Sequence, residues 1–146
     1  MKKMWVLRRL KKLGANSTDL LEIYFKQIRC IAEYAAPVWS SALTKEDSGK
    51  LERIQKVASN IILGENYESY SAAIKLLGIE KLSERRKKIC TKFARKSQKH
   101  SKFTKWFRPV PTLNTRQKKP KFYNVFSNTV RFEKSPISYL TQLLNQ

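Results

Sequence analysis

Residues 20–64 read LLEIYFKQIRCIAEYAAPVWSSALTKEDSGKLERIQKVASNIILG. Two amphipathic helical patterns lie in this run, joined through Ala35-Ala36-Pro37-Val38-Trp39. In the first, Leu20, Tyr24, Ile28, Ile31 and Ala35 line one stripe, widened by Leu21, Phe25 and Ala32. Asn16 or Ser17 caps it, with Asp19 in the favourable first turn. Pro37 has no amide donor and disfavours helical geometry at Ala36, so the helix should stop or bend there. In the second pattern Leu51, Ile54, Val57, Ala58, Ile61 and Ile62 recur at helical spacing until Gly64, and Thr44 with Asp47 approximates a capping box. The facing stripes predict an antiparallel pair that supplies the main core, with Tyr34 and Trp39 buried beside the Pro37 bend.

Upstream, residues 3–13 predict a helix that ends at Gly14. Val6, Leu7, Leu10 and Leu13 share one face, and Arg8, Arg9, Lys11 and Lys12 oppose them with Trp5 in their midst. Trp5 reads as a side chain that packs on another domain, with stacking on a base as the alternative. Downstream, residues 69–77 predict a short helix ending at Gly78, and a further helix runs from Ser83 to about Lys99. Its apolar arc is Ile89, Cys90, Phe93 and Ala94; Arg85, Lys88, Lys92, Arg95, Lys96 and Lys99 crowd the other side. From Ser101 the periodicity breaks. Pro109, Pro111 and Pro120, with the basic run at 116–121, predict an extended linker. Phe103, Trp106 and Phe107 form a hydrophobic latch or, alternatively, a nucleotide-stacking cluster. Order returns at Ser135-Pro136, where Ile137, Leu140, Leu143 and Leu144 give a last helix its apolar side. The expected architecture is all-α: a small bundle of about five helices over residues 1–100, then a basic, largely irregular C-terminal extension over 101–146 with a short terminal helix.

The net charge is +20, and it is uneven. Residues 81–146 carry 18 Lys/Arg against Glu84 and Glu133, whereas the 4 Lys/Arg of residues 49–80 are cancelled by 4 glutamates. A field of this size attracts polyanions, of which nucleic acid is the commonest. Six like charges on one helix face repel each other, and a phosphate backbone beside them relieves that repulsion by releasing counterions. The candidate nucleic-acid-binding residues are therefore Arg8, Arg9, Lys12, Arg85, Lys88, Lys92, Arg95, Lys96 and Lys99.

The sequence offers no catalytic set. Its only aspartates, Asp19 and Asp47, sit where helices begin, and capping accounts for both. Two-metal chemistry needs carboxylates that share ions. The four glycines are scattered, so no phosphate loop is predicted. Cys30, Cys90 and the single histidine, His100, fit no familiar zinc spacing, and the two cysteines read as reduced and buried. No catalytic, metal or cofactor-binding residue is expected, and no cofactor. No apolar run reaches the length of a membrane helix, which predicts an intracellular protein of the nucleus or cytoplasm that does not engage a membrane. The cluster Arg85-Arg86-Lys87-Lys88 also fits a nuclear import signal.

The run at 20–64, entered by MWVLRRLKKLG at 4–14 and left by KSPISYLTQLLN at 134–145, resembles the region after the catalytic palm in reverse transcriptases (RNA-directed DNA polymerases) of jockey-like non-long-terminal-repeat retrotransposons. The resemblance implies a helical thumb over the first helix and the 20–64 pair, and a C-terminal extension from Ser83 onward. A thumb of that kind holds the primer–template duplex by its phosphates beside a palm that carries the paired aspartates, and this chain has no such pair. Two positions depart from the family pattern: Cys30 stands where proline is expected, and Val57 where a basic residue is expected. The resulting expectation is a nucleic-acid-binding thumb and C-terminal fragment, not catalytic by itself, with an RNA or DNA duplex and an upstream palm as partners. Beside it stand a co-opted basic helical module that binds an acidic protein or membrane surface, and a decayed element fragment with no selected function.

Overall fold

The computed structural model describes residues 2–111 and 120–146, so most of the basic run at 116–121 lies outside the described residues. Among the described residues there is no strand, only an isolated antiparallel bridge between Pro109 and Phe122. The fold is all-α, as the periodicity predicts. The chain gathers into two compact units: Met1–Tyr34 with Thr44–Arg85, and Ala35–Leu43 with Arg86–Gln146. The division falls between Arg85 and Arg86 rather than at residue 100, and the joint of the 20–64 run belongs to the second unit.

In the first unit, α1 (Lys2–Lys12) gives way to Gly14 at φ +88, a left-handed conformation that glycine adopts without a Cβ clash. Its core residues are Met4 and Leu7, whereas Val6 and Leu13 are exposed. The buried face is rotated toward Lys11, whose stem packs inward while its Nζ donates to the Ile62 carbonyl at 2.9 Å. Leu13 lies past the end of the helix. Next, α2 (Ser17–Ile23) starts on Asn16, whose Oδ1 accepts the Asp19 N–H at 2.8 Å. It runs on through a π-helical segment, Tyr24–Arg29, into α3 (Cys30–Glu33). The π segment explains where the predicted stripe fails. Leu20, Tyr24 and Ile28 are buried, but Ile31 is 58% exposed. Bonding from i to i+5 puts more residues into a turn, so a stripe projected at 3.6 per turn runs off the face.

The proline has a different role from the expected one. The helix has already ended at Glu33; Tyr34 turns extended and stands 80% exposed rather than buried, and Ala35 takes a left-handed φ of +50. Pro37 then sits in the first turn of α4 (Ala36–Trp39), where a missing N–H is tolerated, so it opens a helix instead of closing one.

Beyond it, α5 (Lys45–Leu63) is capped by Thr44, whose Oγ1 accepts the Asp47 N–H at 3.0 Å and donates to Asp47 Oδ2 at 2.7 Å. Its buried residues are Gln55, Ala58, Ser59, Ile62 and Leu63, while Ile54, Val57 and Ile61 pack at the edge of the core. Gln55 is inside because both ends of its amide are satisfied. Oε1 accepts from the Tyr24 hydroxyl at 2.8 Å, and Nε2 donates to the Glu80 carbonyl at 2.9 Å. Around this relay close Met4, Leu7, Leu20, Tyr24, Ile28, Ala58 and Ile62. Then α6 (Tyr70–Leu77) begins at Ser69 and ends at Gly78 in the left-handed region. Last, α7 (Leu82–Lys99) starts against Glu52, whose carboxylate accepts the N–H groups of Leu82 and Ser83 at 3.2 and 3.3 Å and the Tyr70 hydroxyl. A carboxylate at that place suits the positive end of the helix dipole.

The second unit has its own core: Ala36, Cys90, Ala94, Phe107, Leu140 and Leu143, with Trp39, Ile89, Phe122 and Tyr139 against it. Phe107 is the buried member of the predicted latch. Val130–Glu133 forms α8, and the expected terminal helix is α9 (Pro136–Asn145), with Ser135 as cap. Far from trailing, α9 supplies Leu140 and Leu143 to the core. Its last residue, Asn145, forms a reciprocal pair with the Phe122 backbone, accepting its N–H and donating to its carbonyl, both at 3.0 Å.

Candidate nucleic-acid interface

The basic helix α7 is built around a buried stripe. Arg86, Cys90, Ala94 and Ser97 recur at spacings of four, four and three and face inward. Phe93, predicted for the apolar arc, lies at its exposed margin, while Arg86 is only 5% exposed, its guanidinium carbon 6.0 Å from the centre of the Trp39 ring. Burial of Arg86 breaks up the 85–88 cluster as a continuous exposed signal.

The predicted cations of α7 separate into two groups. Arg85 is half-buried and engaged with Glu33 through Nε, which donates to Oε1, and Nη2, which donates to Oε2 at 3.1 Å. Hydrogen bonding to Glu33 holds the Arg85 pKa above its usual value. Arg29 joins the same carboxylate at 3.9 Å, and burial followed by the nearby Arg85 charge lowers its pKa. Arg85 is therefore part of the first unit's internal wiring. Lys88, Lys92, Arg95, Lys96 and Lys99 are exposed, and they fall within an arc of roughly 100° at 100° per residue. Among the described residues, Lys92, Arg95, Lys96 and Lys99 make no ion pair. The row from Lys88 to Lys99 extends about 16 Å along the helix.

On α1, Arg8, Arg9 and Lys12 are all exposed, and none is ion-paired among the described residues. Arg8 lines a cleft of about 760 Å³ together with Arg53 and Lys56 of α5. Those two cations escape a charge count, because residues 49–80 sum to zero. Folding separates what the sequence cancels: Glu52, in the same cleft, is already taken by three donors. The helical spacing of Arg53 and Lys56 was the available signal.

Trp5 is exposed. Cys90 is buried as expected, and burial pushes its thiol pKa up; Cys30 is exposed, its thiol donating to the Lys26 carbonyl at 2.8 Å. No group of three His, Cys, Asp or Glu side chains among the described residues is placed to hold a metal ion. No helix among them is long and apolar enough to cross a membrane. No protein-family model, curated protein or solved structure matches the chain.

Proposed function

We propose that this chain binds nucleic acid through the phosphate backbone, using the exposed basic row of α7, and that it performs no chemistry of its own. The observation that carries this reading is the row Lys92, Arg95, Lys96 and Lys99, exposed on one helix face in a unit whose sequence holds 16 Lys/Arg and only Glu133 as an acid. Helix-dipole compensation explains Lys96 and Lys99 in the last turn, but not Lys92 and Arg95 in the turn before it. A polyanion running along the face relieves the repulsion. Gln98 is the one amide side chain in the sequence of α7, so little besides the cations can read base edges, and the grip is on phosphate.

The motifs at 4–14, 20–64 and 134–145 support a more specific form of the proposal: the thumb and C-terminal extension of a retrotransposon reverse transcriptase, which holds a primer–template duplex beside a palm outside this chain. The all-α fold is compatible with a helical thumb. On this reading the purified chain incorporates no nucleotide in a primer-extension assay.

Fluorescence anisotropy with a labelled duplex over a range of salt concentrations tests the binding. Four phosphate contacts give a slope of log K against log salt of about −3.6, at about −0.9 per contact. Reversing Lys92, Arg95 and Lys96 to glutamate together is expected to flatten that slope and weaken all duplex sequences alike. A triple variant that keeps the wild-type slope and affinity means that the face is only solvated surface.

A further inference from the structure

We infer that the second unit also carries a stacking site for single-stranded nucleic acid, formed by Trp106, Tyr123 and Phe132 with Lys105 and Arg108. The inference rests on the reading of the chain as a nucleic-acid binder, and it extends that reading from duplex phosphate to unpaired bases.

These five side chains line one cleft of about 630 Å³, and every charged residue in its lining is a cation. Trp106, Tyr123 and Phe132 are 36%, 48% and 44% exposed, so three large rings keep much of their surface in water around one concavity. Scattered apolar side chains on a surface need no account, but aromatic rings gathered about cations do. Two of the rings are positioned by the structure. Trp106 lies 4.6 Å, centroid to centroid, from Phe103, at the end of a short 3-10 turn, Thr104–Trp106. Tyr123 donates its N–H to the Arg108 carbonyl at 2.9 Å, next to the Pro109–Phe122 bridge, and the Arg108 guanidinium lies 5.8 Å from the Tyr123 ring.

The chemistry that fits such a cleft is an unpaired base beside its own phosphate. Every base has a π-face, so a ring platform accepts any of them, and the cations neutralise the adjoining backbone. A duplex keeps its base faces stacked inside and offers them to no side chain, so only a single strand or a frayed end can use this site. An uncharged or basic peptide has no reason to prefer an acid-free cleft in a unit with 16 Lys/Arg against one acid.

The test compares labelled oligothymidylate with a duplex of equal length, using the full chain. Trp106→Ala and Tyr123→Ala are each expected to weaken oligothymidylate binding about tenfold, within the range for one stacked base. Duplex affinity and its salt slope should stay unchanged, and Trp106→Phe, which keeps a ring, should recover most of the loss. Unchanged oligothymidylate affinity in both alanine variants overturns the inference. So does an equal loss for single strand and duplex, which marks general disruption rather than stacking. The Lys92, Arg95 and Lys96 reversal separates this idea from the α7 proposal. If it leaves duplex binding intact while the ring variants still lose the single strand, the α7 face fails and the cleft stands. A wild-type chain that binds neither probe overturns both.

Discussion

The two units carry nearly equal numbers of cations and use them differently. The first has 15 Lys/Arg against 10 Asp/Glu, the second 16 against Glu133 alone. In the first unit the acids give the cations structural work: Glu33 takes Arg85 and Arg29, Glu22 takes Lys26, and Glu46 and Asp47 take Lys50. Exposed pairs of this kind add little stability each, but they reduce self-repulsion. In the second unit there are almost no acids to do the same. Its core closes despite that repulsion, through apolar residues drawn from α4, α7, Phe107 and α9. A unit that cannot neutralise itself is one whose surface gains most from a polyanion.

The largest test of this contrast is whether each core belongs to its own unit. Phe107→Ala removes the aromatic ring among the buried members of the second core and should cost about 3–5 kcal/mol; Ile62→Ala in the first should cost about 2–5 kcal/mol. Hydrogen exchange distinguishes them. Phe107→Ala is expected to expose the α9 amides first while α5 stays protected, and Ile62→Ala to do the reverse. Equal loss of protection in both helices from either change would show one cooperative core and remove the distinction between the units.

Much of this arrangement was legible in the sequence, and the lapses have separate physical causes. The caps at Asn16 and Thr44 depend on a few adjacent residues, and each forms a side-chain bond to the backbone as local rules predict. Ile31 was misplaced because periodicity assumes an α-helix, and nothing in YFKQIR announces a π segment. Gln55 falls outside any hydrophobic stripe, and the partners that let it be buried lie 31 and 25 residues away in the chain. Pro37 predicts a stop or a bend because proline disfavours helix before it, yet the chain has already turned at Ala35. Of the candidate cations, spacing identified the exposed row, but Arg85 left it for Glu33, a partner 52 residues distant. The second unit was the least legible part because its core joins segments far apart in the chain.

The Tyr24–Gln55 relay sharpens the comparison at intermediate magnitude, since it is the polar centre of the first core. Tyr24→Phe leaves Gln55 Oε1 buried without its donor and should cost about 1–3 kcal/mol. The same residue gives the first unit an alkaline sensitivity. Burial pushes the Tyr24 phenol well above its usual value of 10.0, so the folded state holds that proton more tightly than the unfolded chain does. The Tyr24 contribution is present below pH 10 and lost as pH rises beyond it, because the unfolded chain ionises first. Urea melts at neutral pH and above pH 10 should show a smaller alkaline loss for Tyr24→Phe than for the wild type. Equal losses would place the alkaline sensitivity elsewhere.

The smallest expected effect uses one cysteine from each unit. Cys30 lies in the first, with its side chain at the surface; Cys90 lies in the second, fully buried in the core of α7. Burial raises the Cys90 thiol pKa, which lowers the thiolate fraction as well as access, and the thiolate is the reacting species. At mildly alkaline pH an aromatic disulfide reagent should therefore titrate one thiol quickly, and Cys30→Ser should abolish that fast phase. The second thiol should react only as the second unit opens, so its rate should rise in Phe107→Ala and stay near the wild-type value in Ile62→Ala. Acceleration of Cys90 by Ile62→Ala would mean that loosening the first core opens the second, and the two units would then have to be treated as one.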